Sequence, residues 1–246
     1  MEPLYQKKFH IPASAVDRFD RLKMSHILDY LQEVAGDHSA LLGTDRQNLN
    51  GQHLFWAVIR HRVQITRLPK AGEDITVETW PMPTTRTAYP RATVALDSQG
   101  NELFKSISLW VLMDSESRTM VLPKKSGIVV DGRLQGNELP PPGSLIPREM
   151  ECADHRTVRF TDLDWNGHMN NCRYLDWVAD LLPADFHREH CAKEFTVCYL
   201  SEATEGETVT LLWEQNSQGV LHIDAHRENT EMSVGHSRVF AAQILF

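Results

Sequence analysis

Two segments of the chain space their apolar residues by three and four positions, which predicts one amphipathic helix in each half. The apolar face of the first helix, in residues 25–41, consists of Ile27, Tyr30, Leu31, Val34, Ala35, His38 and Leu41. That of the second, in residues 171–182, consists of Tyr174, Leu175, Val178, Leu181 and Leu182. We expect Ser25 to cap the first helix, Asn170 or Asn171 to cap the second, and Pro183 to end it.

Each helix is accompanied by segments rich in valine, isoleucine and aromatic residues, which predict strands. In the first half these segments are residues 5–9, 56–68, 74–80, 87–97 and 103–113. In the second half they are residues 152–160, 194–200, 207–215, 220–227 and 234–245. The sequence Asp-Ser-Gln-Gly-Asn at 97–101 predicts a hairpin turn. Short turns between consecutive strands favour antiparallel pairing, so the fold class is α+β rather than a single mixed α/β sheet.

The two halves also match locally, which indicates a duplication. Residues 28–31 (Leu-Asp-Tyr-Leu) parallel 175–178 (Leu-Asp-Trp-Val) at an offset of 147, and residues 63–77 parallel 197–211 at an offset of 134. The first half therefore carries 13 additional residues, which we place at 42–55 and expect to form a lid or an entrance wall. The predicted domains are 1–130 and 148–246, joined by a linker at 131–147 that is rich in proline and glycine.

Composition and charge argue against several classes of function. The 246 residues are 41% hydrophobic and carry a net charge of −8, which argues against a nucleic-acid binder. No apolar run is long enough to span a membrane. The first eight residues contain no apolar signal-peptide core, so a cytoplasmic location is the expectation. The four cysteines show no disulfide framework, and Cys172 and Cys198 lie on predicted apolar faces as core thiols.

Candidate chemistry is concentrated in residues 162–171, Asp-Leu-Asp-Trp-Asn-Gly-His-Met-Asn-Asn. If this segment is extended, Asp164, Asn166 and His168 face one side, and Trp165 and Met169 form an apolar wall on the other. A half-buried strand, a turn or a helix cap would show the same residues without any chemistry. A second group, at residues 187–191, has two histidines and a cysteine, and it fits a solvated loop better than a metal site.

The segment from Asp164 to Tyr174 resembles the signature of the acyl-acyl carrier protein thioesterases, Asp-x-Asn-x-His-x-Asn-Asn followed by a helix that contains tyrosine. Residues 56–69, with Gly72 and residues 77–80, resemble a second family segment, and the likeness extends from about Tyr5 to the end of the chain. The resemblance implies a tandem hot-dog fold, in which two helices are each wrapped by an antiparallel sheet and the sheets are joined side by side.

The resemblance also implies the reaction and its residues. Asp164, Asn166 and His168 match the family's catalytic positions, and Glu202 aligns with its later carboxylate. Plant members have a cysteine after that glutamate, whereas this chain has Ala203, which excludes a cysteine nucleophile there and favours direct attack by water on the thioester. Either His168 or Glu202 is the general base in this scheme, and neither a metal nor an organic cofactor is implied.

At the offset of 147, the positions of Asn166 and His168 fall on Phe19 and Arg21 in the first half. We therefore expect one active site per chain, with the first half supplying an acyl tunnel. The implied partner is acyl carrier protein, which is acidic. Candidate docking residues are Arg60, Arg62, Arg67, Lys70, Lys124 and Lys125.

Three rival functions remain at the level of the sequence. The first is an acyl-CoA thioesterase of the same fold, the second a non-catalytic acyl-binding module, and the third a hot-dog dehydratase, whose local motif differs. The sequence leaves acyl chain length undetermined, and it does not separate a monomer from a homodimer.

Overall fold

The computed structural model describes residues 4–134, 136–227 and 238–246. The chain divides into two compact units, which we call unit 1 and unit 2. Unit 1 is Met1–Lys23 with Asp29–Pro142, and unit 2 is Met24–Leu28 with Gly143–Phe246. Within the described residues no helix combines the length and the apolar character that crossing a membrane requires.

Unit 1 is an antiparallel sheet with a long helix against it. Its strands are β1 Tyr5–His10, β2 Leu54–Ile65, β3 Asp74–Pro81, β4 Tyr89–Leu96, β5 Glu102–Asp114 and β6 Met120–Val121. They pair in the order β1-β3-β4-β5-β2, with β6 on β5. Helix α1, Met24–Leu41, carries most of its length in this unit. Contact of the helix with the sheet is visible where Tyr30 meets Phe9 of β1, with ring centroids 4.7 Å apart.

Unit 2 repeats this arrangement. Its strands are β7 Cys152–Thr157, β8 Glu194–Tyr199, β9 Thr208–Gln215, β10 Val220–Arg227 and β11 Arg238–Leu245, paired in the order β8-β11-β10-β9-β7. Helix α4, Tyr174–Ala179, packs on the sheet through Tyr174, whose ring lies 4.6 Å from that of Phe240 on β11. The α+β class and the antiparallel pairing predicted from the sequence are confirmed. Residues 234–237 of the last predicted strand lie outside the described residues.

The helices differ from the prediction in four respects. Ser25 is not the cap of α1; Lys23 precedes the helix, and the Ser25 hydroxyl donates to the Asp176 carboxylate at 2.5 Å. Leu41 is 64% exposed, so the apolar face of α1 ends earlier than expected. The second helix ends at Ala179, before Pro183, and Arg173 rather than an asparagine precedes it. Ahead of the helix, the Asn170 side chain accepts from the N–H of Cys172 and closes a turn.

Three short helices were not predicted: α2 Arg46–Asn50, α3 Pro123–Ser126 and α5 Ala184–Glu189. The first lies inside the 42–55 insertion, where the Asp45 carboxylate caps it by accepting from the N–H groups of Gln47 and Asn48. The described part of the predicted linker 131–147 contains neither helix nor strand, but it is not a plain surface crossing. Leu139 is buried against the sheet of unit 1, and Asn137 donates to the carbonyl of Ser106 on β5 at 2.9 Å.

Candidate active site

The Asp164 carboxylate organises the segment that carries the candidate chemistry. Its Oδ1 accepts from the backbone N–H groups of Asn166 at 2.8 Å and His168 at 3.2 Å. The Asp164 N–H donates to the carbonyl of His168 at 2.8 Å, and Gly167 between them has a φ of +80°, which favours glycine. Because the side chain takes over these backbone bonds, the segment closes into a tight loop, which we call the Asp164 loop (164–168).

The extended geometry expected for this segment is therefore wrong. Trp165, at the tip of the Asp164 loop, is 66% exposed, whereas Met169 is buried, so the two do not form one apolar wall. The Asn166 side chain folds back and donates from Nδ2 to Oδ2 of Asp164 at 3.3 Å. The carboxylate and the amide are consequently adjacent, but through a turn and not through strand alternation.

A second segment brings Glu202 to the same place. The Met169 N–H donates to the carbonyl of Ala203 at 2.8 Å, and His168 forms an isolated bridge with Thr204. With the backbones held in this way, the His168 Nε2 lies 3.6 Å from the Glu202 Oε2. The His168 side chain is 28% exposed and the Glu202 side chain 51% exposed, so water reaches both. All four residues named from the sequence thus lie in one small region of unit 2.

Arg227 supports this region and was not found from the sequence. Its guanidinium donates to the carbonyl oxygen of Glu202 and, at 3.0 Å, to the hydroxyl of Ser201. The same group pairs with Glu207 at 3.0 Å. Arg227 lies at the end of β10, 25 residues from Glu202, so the spacing of residues along the sequence does not predict this contact. Its position holds the backbone on which Glu202 is carried.

Tyr174 lies beside the same region from α4. Burial raises the pKa of its hydroxyl; in smaller measure the charge of Arg227 lowers that pKa, and the charges of Glu207 and Glu202 raise it. The residue is 2% exposed and packs on Phe240 and Tyr199. It closes the inner side of the region with an aromatic ring that stays neutral.

The other group named from the sequence, His187 with His190 and Cys191, is dispersed among separate contacts. The His187 Nε2 lies 2.8 Å from the carbonyl oxygen of Ala179. The His190 ring stacks on Phe186 with centroids 4.3 Å apart. In the parts of the chain that the structure describes, no three potential ligands are grouped closely enough to hold a metal ion.

Unit 1 contains a cavity of about 360 Å³ between α1, the 42–55 insertion and the sheet. Leu42, Thr44, Asp45 and Arg46 bring the insertion to its wall. The opposite side is aromatic, and there Trp56 and Tyr89 meet edge to face at 4.9 Å.

Family models match both halves of the chain. The model of the acyl-ACP thioesterase N-terminal domain matches residues 2–124, and the model of the C-terminal domain matches residues 147–241. The chain belongs to the acyl-ACP thioesterase family. The family resemblance inferred from residues 164–174 is thereby confirmed.

Individual members of the acyl-ACP thioesterase family are similar in sequence to this chain over most of its length. The oleoyl-acyl carrier protein thioesterase 1 of Arabidopsis thaliana is 27% identical over 87% of this chain, and the dodecanoyl-[acyl-carrier-protein] hydrolase of Cinnamomum camphora is 24% identical over 82%. The matched regions are 64% and 56% of those plant proteins, so the chain spans less than two thirds of their length.

Solved structures of the acyl-ACP thioesterase family share the fold. An acyl-ACP thioesterase from Bacteroides thetaiotaomicron superposes with a TM-score of 0.88 at 20% identity, over 99% of this chain and 98% of that one. The 12:0-ACP thioesterase of Umbellularia californica gives 0.82 at 21% identity, over 100% and 97%. The double hot-dog fold expected from the resemblance is confirmed.

Proposed function

We propose that this chain hydrolyses fatty acyl thioesters of acyl carrier protein, releasing a free fatty acid and the carrier's thiol. The observation that carries the proposal is the pair of His168 and Glu202, whose side chains lie 3.6 Å apart at the Asp164 loop in a member of this family. The plant relatives, an oleoyl-acyl carrier protein thioesterase and a dodecanoyl-[acyl-carrier-protein] hydrolase, support the substrate class.

In the proposed reaction, a water molecule attacks the thioester carbonyl carbon directly. The 3.6 Å separation of His168 and Glu202 is longer than a strong hydrogen bond, and both side chains are open to solvent, so one water can contact both. One of them takes the proton of the water as the C–O bond forms. The C–S bond then breaks, and the proton passes to the leaving sulfur, which balances the reaction without an acylated enzyme.

The developing negative charge on the carbonyl oxygen needs hydrogen-bond donors. The backbone N–H groups of Asn170 and Cys172 are occupied, by Asp162 and by the Asn170 side chain. Within the described residues the N–H of Asn171 has no acceptor, so we assign it to the oxyanion. Asn166 orients the water through its amide, and Asp164 acts as a positioning residue for the loop.

The acyl chain and the carrier complete the proposal. The apolar cavity of unit 1 is assigned to the acyl chain, in keeping with a first half that supplies the tunnel. Among the basic residues considered for docking, Lys124 and Lys125 are exposed on α3. Arg67, by contrast, forms a bidentate ion pair with Glu73, with both distances 2.8 Å. Lys70 is also exposed, but Lys124 and Lys125 place two positive charges side by side, so we assign carrier docking to the α3 lysines. A cytoplasmic location and the choice between monomer and homodimer stay predictions.

The test is a comparison of thiol release from one acyl chain presented on acyl carrier protein and on coenzyme A. The proposal expects higher kcat/KM with the carrier protein, and a rate that falls as salt is added, because docking to an acidic partner is electrostatic. Replacing Lys124 and Lys125 by alanine should raise KM for the carrier substrate and leave the coenzyme A rate unchanged. Equal rates on both carriers would assign the chain to acyl-CoA instead, and no thiol from either would end the proposal.

A further inference from the structure

The cavity of unit 1 contains charge that a purely hydrocarbon ligand would leave uncompensated. Most of its wall is apolar, from Ala35 and Leu42 to the aromatic side chains of Trp56, Tyr89 and Trp110. Its volume of about 360 Å³ falls in the range of sites for small ligands. A fatty chain fits such a wall. Arg91 on β4 lines the same cavity, and a methyl-terminated chain offers it no partner.

The contacts of Arg91 are with a histidine ring and a hydroxyl group. Its Nη1 lies 3.1 Å from the His38 Nδ1 and 3.3 Å from the Thr79 hydroxyl. Among the described residues no carboxylate forms an ion pair with it. Burial lowers the pKa of its guanidinium below its ordinary value, to about 10, so the group is still a cation at neutral pH. Arg91 is partly buried, and a cation drawn out of water in this way without a counter-ion costs free energy, which an anion entering the cavity would recover.

The acidic residue in the cavity wall is committed elsewhere. Asp45 accepts from the backbone N–H of Gln47 at 2.7 Å and from Asn48 through both its backbone and its side chain, at 3.1 and 2.8 Å. These bonds cap α2 and use both carboxylate oxygens. Arg46 beside it adds a second positive charge to the wall. The basic side chains in the wall thus outnumber the acidic one, and the acidic one already has its donors.

A second donor in the wall lacks an acceptor. The Trp110 Nε1 is buried and donates to no atom of the described residues. Trp56 in the same wall shows the usual arrangement, since its Nε1 donates to the carbonyl of Thr44 at 2.8 Å. A buried N–H without an acceptor is costly, so a ligand oxygen that the Trp110 ring turned to meet would recover that cost.

We propose that the unit 1 cavity binds a fatty chain that bears a carboxylate, with the carboxylate on Arg91 and Trp110 and the chain along the aromatic wall. A guanidinium and an indole N–H are both donors suited to a carboxylate. The carboxylate has two sources. It belongs either to a free fatty acid or to the far end of a dicarboxylic acyl chain whose other end is the thioester. The first source needs no catalysis; the second rests on the proposed hydrolysis.

The binding test compares dodecanoate with dodecan-1-ol, which has the same chain and a neutral head, by titration calorimetry on the full chain near pH 7. The wild type should bind the acid at least tenfold more tightly than the alcohol. Arg91→Met should abolish that preference without weakening the alcohol, and Trp110→Phe should weaken the acid severalfold. Arg86→Met, which removes an exposed arginine outside the cavity wall, should leave both affinities unchanged.

Thermal unfolding controls for folding, and Arg91→Met should keep or raise Tm because it removes an uncompensated charge. If that variant does not fold, Trp110→Phe carries the test. Equal affinities for acid and alcohol in the wild type, or a preference for the acid that survives in Arg91→Met and in Trp110→Phe, would overturn the proposal. None of these readouts uses turnover, so they stand or fall separately from the proposed hydrolysis.

A second arm assigns the source. Carrier protein loaded with a dodecanedioyl chain is compared with carrier protein loaded with a dodecanoyl chain. If the carboxylate is the far end of the substrate, the wild type should favour the dicarboxylic chain at least tenfold in kcat/KM, and Arg91→Met should not. If the source is free fatty acid, the dodecanoyl chain is favoured and dodecanoate binds as above. A failed binding test overturns the proposal for both sources, whatever the two loaded carrier proteins show.

Discussion

The same loop is built once in each unit, from Asp17 to Arg21 in unit 1 and from Asp164 to His168 in unit 2. In each, the aspartate N–H donates to the carbonyl four residues later at 2.8 Å. In each, the aspartate Oδ1 accepts from the N–H groups two and four residues later, at 2.8 and 3.1 Å in unit 1 and at 2.8 and 3.2 Å in unit 2. Asp20 and Gly167 both have positive φ, +60° and +80°.

The two loops differ in the side chains that this backbone presents. Arg21 pairs with its own aspartate at 3.2 Å and covers the Phe19 ring at 4.9 Å, so the side chain at this position contacts its own loop. The corresponding His168 instead meets Glu202 on the neighbouring segment. At the sequence offset of 134, the position of Glu202 falls on Leu68 in unit 1.

This comparison separates framework from chemistry. The aspartate is common to both loops and makes the same backbone bonds in each. Its presence therefore indicates that it shapes the loop and does not by itself indicate catalysis. The proposed chemistry follows the positions that differ: Asn166, His168 and Glu202. Substitutions made in parallel in the two loops can therefore distinguish catalytic groups from framework groups.

The largest effect is expected from His168→Ala. Loss of the imidazole should lower kcat on acyl carrier protein about 100- to 10,000-fold, the usual range for a positioned acid–base group. Tm should change little because the side chain is partly exposed. The matched variant is Arg21→Ala, which should leave kcat near that of the wild type. If both variants retain wild-type turnover, the assignment of chemistry to the Asp164 loop is wrong.

The next effect is expected from Glu202→Gln, which keeps the shape of the side chain and removes its charge. We expect kcat to fall about 100-fold, with KM changed less, because the group acts on the water and not on the acyl chain. Glu205→Gln, three residues away on the same exposed segment, is the control. The pH profile of kcat identifies the base: an acid limb that persists in Glu202→Gln assigns it to His168, and one that disappears assigns it to Glu202.

A smaller effect, on stability, tests the framework role. Asp17→Ala and Asp164→Ala should each lower the free energy of unfolding by about 1–2 kcal/mol, because each removes the acceptor of two backbone N–H groups. Asp17→Asn and Asp164→Asn should recover most of that loss, since asparagine forms the same turn. Only the unit 2 variants should lose activity. Denaturant unfolding with parallel rate assays provides the check, and a stability loss confined to one loop would contradict the equivalence of the two.

The smallest effect concerns a buried position at which the units also differ. His61 on β2 corresponds by the offset of 134 to Phe195 on β8, and both are fully buried. Burial lowers the pKa of His61 from 6.5 to about 3, so below pH 6.5 the unfolded chain takes up a proton that the folded chain does not. Stability is therefore lost as pH falls from 6.5 toward 3.

His61→Phe makes the two units alike at this position and should remove that loss. Between pH 7 and pH 5.5 the wild type should lose about 1 kcal/mol more stability than the variant, as the shift in proton affinity requires. Urea unfolding at the two pH values measures the difference. Parallel losses in the two proteins would mean that His61 takes up its proton in the folded state.

Much of the fold could be predicted because it depends on periodicity. The strand at Val220–Arg227 matches the prediction, and the hairpin turn at Asp97 forms as expected, with its carboxylate accepting from Gln99 and Asn101. The geometry of the site could not be predicted in the same way. Residue spacing suggested strand alternation at 162–170, but the Asp164 carboxylate folds the segment back through bonds that periodicity does not register.

The contributions that come from distant parts of the chain were also invisible in the sequence. Arg227 reaches the Glu202 backbone across 25 residues, and the separation of Arg91 from any carboxylate depends on three-dimensional placement. The second helix shows a further limit. Its apolar spacing continues to Leu182, yet the helix ends at Ala179, because the residues after it form turns that bury Leu182 without a helix.

We propose that water, and no group of the protein, attacks the thioester at the Asp164 loop. The decisive experiment is one turnover of dodecanoyl carrier protein with excess enzyme in oxygen-18 water, followed by mass spectrometry of the fatty acid and of the intact protein. Direct attack by water should place one heavy oxygen in the first fatty acid released and leave no acylated protein at any quench time. An unlabelled first product, with heavy oxygen in the peptide that contains Glu202, would contradict it, and so would a transient acyl adduct on the protein.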